Sequence, residues 1–189
     1  MLRVQLPLSV TFLLPPIFLS LILTGVMLLP THIQQELFLS STDFQLFTLL
    51  SAQLLHHDWA HYGLNMGGIW LWWALFAESI PKLRYWLGLP VIMVFSSAAE
   101  FLFNSNFSLY AGFSGTLYGL FAYSGVSELR QKKWIGSLVF LGVLVKLTID
   151  FSLPEVSAGL ALFAHVGGVV AGGVLALVVP RSIDRKRGE

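Results

Sequence analysis

The chain has 189 residues, of which 56% are hydrophobic and 11% charged, with a net charge of +1; soluble domains carry about 25% charged residues. A mean hydropathy of +0.75 makes lipid its main solvent, and because lipid-facing backbone must satisfy its own polar groups, the apolar runs form helices. Small Lys and Arg clusters between apolar runs exclude nucleic acid as a partner, and the lack of cysteine removes disulfides, thiolate metal sites and a Cys nucleophile.

Runs of about 20 apolar residues mark spanning helices. The first is predicted over 7–29, after Arg3. It is too long for a signal-peptide core, contains Pro15 and Pro16 and shows no small-x-small cleavage site, so it is expected to be retained. A long connection follows over 30–56, and its amphipathic stretch, with Phe38, Phe44 and Phe47, is expected to lie in the outer interface. Further helices are predicted over 57–77, 84–103, 112–127, 134–149 and 159–180, followed by a basic tail over 181–189. The fourth covers roughly 24 Å at 1.5 Å per residue, against a hydrocarbon core of ~30 Å, so one of its ends is submerged. Residues 1–189 thus form one membrane domain: an all-α, polytopic bundle of six transmembrane helices.

Charge orients the bundle. Arg3, Lys82, Arg84, Arg130, Lys132, Lys133, Arg181, Arg185, Lys186 and Arg187 all fall on one set of alternate connections, and the other set carries only acids such as Glu36, Asp43, Asp150 and Glu155. By the positive-inside rule both termini are cytoplasmic. Lys146 is the exception, near the outer end of the fifth helix, where it can snorkel or pair with Asp150 one turn on.

Polar residues inside apolar helices are costly and so mark candidate sites. Three groups stand out: His56, His57, His61 and Asn65 entering the second helix, Ser114 within Gly112-Phe113-Ser114-Gly115 at the start of the fourth, and His165 in the sixth. These helices all start on the outer side. His165 lies ~9 Å down its helix at 1.5 Å per residue, a depth that His61, Asn65 and the submerged Ser114 share. A serine hydroxyl needs a base to take its proton, and the histidines within helices are His61 and His165. At a helix N-terminus the Ser114 N–H favours a developing negative charge. Asn65 and His61, on one face a turn apart, can donate to the same charge, which leaves His165 as the base. Gly112 and Gly115 allow close approach to Ser114.

The segments His61-Tyr62-Gly63-Leu64-Asn65, Gly112-Phe113-Ser114-Gly115 and Ala164-His165-Val166-Gly167-Gly168, in that order, resemble the rhomboid intramembrane serine proteases over roughly residues 45–175. The resemblance implies a Ser114–His165 dyad without an acid, an oxyanion held by His61, Asn65 and the Ser114 N–H, no cofactor and no metal. It also implies a seam of small residues, Gly168 and Gly172, for packing the sixth helix against the fourth. A Trp-Arg pair common in the first outer loop of that family is missing, and Phe47 and Thr48 stand there instead. The small size, the approach His56-His57-Asp58-Trp59-Ala60-His61 and the Lys146/Asp150 pair are most similar to the rhombosortase branch. That branch implies a bacterial inner membrane, a site opening to the periplasm, and protein substrates with a C-terminal Gly-Gly, single-helix, basic-tail sorting signal. A monomer in lipid suffices for such catalysis.

Each residue also has a plainer reading. Gly-x-Ser-Gly alone is a common packing motif in membranes, and Asn65 can serve as interhelical glue. His56 and His57 can simply be solvated at the interface. Trp70, Trp72 and Trp73 can face lipid. Glu100 has no assigned role, and a zinc site from His56, His61 and His165 lacks the His-Glu-x-x-His pattern. At the level of the whole chain the competing readings are a non-catalytic, client-binding rhomboid-like protein and a small transporter, the latter without the paired intramembrane acids or inverted repeat it needs.

Overall fold

The computed structural model describes residues 9–77, 82–153 and 161–178. Arg3, the basic tail 181–189, the outermost residues of the first and sixth predicted helices and most of the 150–158 connection lie outside the described residues. Within them, six long helices fall on the six predicted positions: α1 (Val10–Met27), α4 (Trp59–Phe76), α5 (Lys82–Phe103), α6 (Ser114–Arg130), α7 (Trp134–Ser152) and α8 (Leu162–Val178). By length and composition α5, over Trp86–Phe103, and α7 are each able to cross a membrane.

The connection after α1 has more structure than a plain amphipathic stretch. It folds into α2 (Thr31–Leu37), β1 (Leu39–Ser40) and α3 (Thr48–Ser51), largely exposed up to Phe47 and enclosed by the protein mainly at its end. Pro30 starts α2, since its locked φ and missing N–H cannot continue α1. The chain bends there by 117°. Gln34 covers the frayed end of α1, donating to the carbonyls of Met27 (3.0 Å) and Leu29 (2.8 Å). Phe44, Leu46, Phe47 and Leu50 do face outward, but Leu39, Ala52, Gln53 and Leu55 are fully enclosed.

α6 is the central helix. Most of its side chains are buried, with polar Thr116 and Ser124 among them, and a helix wrapped by protein need not be apolar all round. The tightest packing is against α8. A Cβ on Gly168 would sit 1.9 Å from the Gly115 carbonyl oxygen, and one on Gly172 would sit 2.0 Å from that of Gly119. Only hydrogen fits at these crossings, so the expected small-residue seam is present on both helices.

α4 buries the stripe Asn65, Ile69, Trp72, Trp73 and Phe76, which fall on one face of the helix. The tryptophans therefore do not simply face lipid. The Trp72 indole N–H donates to Ser124 Oγ (2.8 Å), and that of Trp73 donates to the Phe12 carbonyl (2.8 Å), tying α4 to α6 and α1. A buried indole N–H has to find such a partner. The outward faces of α7 and α8, with Leu138, Leu141, Val145, Val170, Val174 and Leu177, form an apolar exterior.

Candidate active site

α6 starts at Ser114 itself, two residues later than predicted, with Phe113 as its N-cap. The Ser114 N–H is thus one of the first-turn donors that have no acceptor within the helix. Gly112 precedes this start with φ of +145°, a conformation open to glycine and strained for other residues. A Cβ there would also lie 2.6 Å from His61 Cε1, so the imidazole of His61 rests directly on the Gly112 backbone.

The segment leading into Ser114 is held by the folded connection. β2 (Leu109–Tyr110) pairs antiparallel with β1, Leu39 opposite Tyr110, and the Gly112 N–H donates to the Ala52 carbonyl (2.9 Å). Gln53, fully buried, donates to Ser97 Oγ (2.9 Å) and Tyr110 Oη (2.7 Å) and accepts from Thr116 Oγ1 (2.7 Å). One amide thereby joins α5, β2 and α6 beneath the nucleophile.

His165 Nε2 lies 2.9 Å from Ser114 Oγ. This is hydrogen-bond distance for a hydroxyl and its base. Three features set the imidazole. Its ring stacks on that of Tyr118, with centroids 4.2 Å apart and planes 15° from parallel. The start of α8 is capped by Glu100 of α5, whose carboxylate accepts from the Ala164 N–H (2.9 Å) and from Asn104 Nδ2 (2.6 Å). Ser96 donates to the Ala164 carbonyl (2.7 Å). Glu100 is 1% exposed, so it is neither interfacial nor idle. It satisfies first-turn donors of the helix that carries His165, and its negative charge suits that positive end.

α4 brings His61 and Asn65 to the same place. Asp58 caps the helix, accepting from the His61 backbone N–H at 2.7 Å, and that bond holds the Asp58 carboxyl below the usual carboxylate range. Asn65 is buried and uses one amide hydrogen on the His61 carbonyl (3.1 Å). His56 is not solvated at an interface: it is 1% exposed, and burial pushes its imidazole down to about 3. Held neutral, it presents Nε2 to the Phe113 N–H, 3.5 Å away. His57 stacks on His61 with ring centroids 6.3 Å apart. Among the described residues no three His, Cys, Asp or Glu side chains are grouped to hold a metal.

Two clefts meet at the Ser114–His165 pair. One, of about 560 Å³, is largely apolar and opens between α4 and α7 past Leu64, Asn65, Leu117, Phe121, Val139 and Val143. The other, of about 780 Å³, is more polar and passes Glu100 on α5 and Asn104, Asn106 and Ser108 in the loop that follows it. His61, Leu64, Ser114 and His165 line both.

The structure so brings together Ser114, His165, His61, Asn65, Gly112 and Gly115, and it places Gly168 in the seam behind them. Sequence reasoning missed Tyr118, Gln53 and the role of Glu100. Tyr118 had a signal, since it lies four residues after Ser114, one turn along the same face. Gln53 and Glu100 act through partners more than 40 residues away, which spacing does not reveal.

A hydroxyl beside an imidazole, at the head of a buried helix in an apolar helical bundle, describes a multi-pass membrane protein with a serine–histidine site. The family model for the rhomboid domain matches residues 43–182. The chain belongs to the rhomboid family, a family of intramembrane proteases. No curated protein matches it.

Proposed function

We propose that the protein is an intramembrane serine endopeptidase of the rhombosortase kind, which cleaves the C-terminal transmembrane sorting signals of exported proteins with a Ser114–His165 dyad. The observation that carries the reading is the 2.9 Å separation of Ser114 Oγ and His165 Nε2 where an apolar lateral cleft meets a polar one. A substrate helix enters between α4 and α7 and presents an unwound segment to Ser114. His165 takes the hydroxyl proton as Oγ adds to the carbonyl carbon. The oxyanion is held by the Ser114 N–H, the second amide hydrogen of Asn65 and His61. His165 then returns the proton to the leaving amine, and an acyl-enzyme remains. Water arriving through the polar cleft hydrolyses the ester; an amine in its place transfers the acyl group.

All six long helices span the membrane in this reading, with both termini cytoplasmic in a bacterial inner membrane and the polar cleft facing the periplasm. The test is a reporter ending in Gly-Gly, one apolar helix and a basic tail, co-expressed with wild type, Ser114→Ala and His165→Ala. Cleavage by wild type alone is expected, with either substitution lowering the rate at least ~1,000-fold. An intact reporter together with fluorophosphonate labelling of Ser114 would keep the dyad and replace the substrate with other single-span proteins. No labelling would turn the reading to a client-binding protein without catalysis.

A further inference from the structure

His165 lacks the support a third catalytic group usually gives. When Nε2 accepts the Ser114 proton, the imidazole carries its hydrogen on Nδ1, and that atom is buried with no partner among the described residues. The stacked Tyr118 ring is then the side-chain contact on the imidazole, besides Ser114, that can orient it.

Asp150, in the last turn of α7, supplies a candidate. Its side chain is 2% exposed on a helix whose other side chains mostly face outward. One carboxylate oxygen pairs with Lys146 Nζ, and the other faces the Tyr118 hydroxyl, which donates to it across 3.4 Å. A purely helix-stabilising i,i+4 pair needs neither burial nor a tyrosine at its inner side. Moreover, a carboxylate near a helix C-terminus works against the macrodipole. The bond is long for O–H···O, as such bonds often are before substrate is bound.

We propose that Asp150 is a positioning residue that acts through Tyr118: clamped by Lys146, it holds the tyrosine hydroxyl, and the tyrosine ring holds the His165 imidazole on Ser114. The inference rests on the proposed protease function but names a residue on α7, outside the dyad and the oxyanion donors. α7 lines the lateral cleft through Val139, Gly142, Val143 and Lys146, so the arrangement also ties the wall of that cleft to the base.

The test is a double-mutant cycle in detergent-solubilised full-length protein with Asp150→Asn, Tyr118→Phe and both together, each confirmed folded by its melting temperature. Tyr118→Phe keeps the ring and its packing and removes the hydroxyl alone. The expected result is that each single change slows fluorophosphonate labelling of Ser114 roughly tenfold, less than the ~100-fold that a misplacement of 1 Å costs. The double variant should be no slower than Tyr118→Phe. A second readout, the side-chain 15N resonances of His165, needs no catalysis and stands even if wild type does not label. These resonances should move on Asp150→Asn, and not when Tyr118→Phe is already present. Losses that multiply in the double variant, or His165 resonances untouched by Asp150→Asn, would overturn the proposal, whereas absent labelling of wild type would count against the protease reading alone.

Discussion

Ser114 and His165 stand 51 positions apart in the chain and 2.9 Å apart in space, and the residues around them divide by what they do to that pair. Asn65 has an amide hydrogen to offer a developing oxyanion, a contact absent from the ground state. Asn65→Ala is therefore expected to lower kcat about 100-fold with little change in KM, as steady-state cleavage of the reporter would show; a raised KM with kcat unchanged would mean ground-state binding instead. Gly112 is constrained twice, by its φ of +145° and by the His61 ring 2.6 Å from where a Cβ would be. Gly112→Ala should cost about 1–3 kcal/mol of stability and slow labelling of Ser114 by displacing His61, measurable as a melting shift alongside the labelling rate. Both residues were legible in the sequence by their type and place. His56 was less so: a histidine just before a helix is ordinarily solvated, and only the folded connection encloses it.

At the scale of elements, the position of the base depends on how α8 begins. Glu100 reaches across from α5 to accept the Ala164 N–H, one residue before His165. Glu100→Ala would leave a buried donor unsatisfied at a cost of about 1–3 kcal/mol, seen as a lowered melting temperature. Glu100→Gln, which keeps an acceptor, should lose less, and equal losses would show that charge at the helix end matters more than the bond. The helices themselves were legible from their apolar runs, and the resemblance pointed to Gly168 and Gly172, whose partners Gly115 and Gly119 only the packing shows. The 30–56 connection was legible only in part. Its outward Phe44, Leu46 and Phe47 gave an interfacial signature, while Gln53 and Leu55 are buried by partners brought from α5, β2 and α6.

For the whole molecule, the charge distribution gives a testable orientation. The chain contains no cysteine, so single cysteines report sidedness without background. Thr42→Cys, exposed in the connection before α3, should react with an impermeant maleimide on intact spheroplasts, and Lys132→Cys, exposed between α6 and α7, only after permeabilisation. The reverse pattern would invert the proposed topology and turn the polar cleft to the cytoplasm.

Composition and hydrophobic period alone determined a helical membrane bundle and its long helices, because each depends on solvent preference and local spacing, while the small-residue seam was implied by the family resemblance. The same residues named Ser114, His165, His61 and Asn65, since an ionisable or hydroxyl group inside an apolar helix stands out whatever surrounds it. Only the tertiary structure decided that Tyr118 stacks on the base, that Glu100 caps its helix and that Gln53 braces the nucleophile. These roles lie in the geometry between segments distant in the chain, and a buried hydrogen bond or ring stack leaves no period in a sequence.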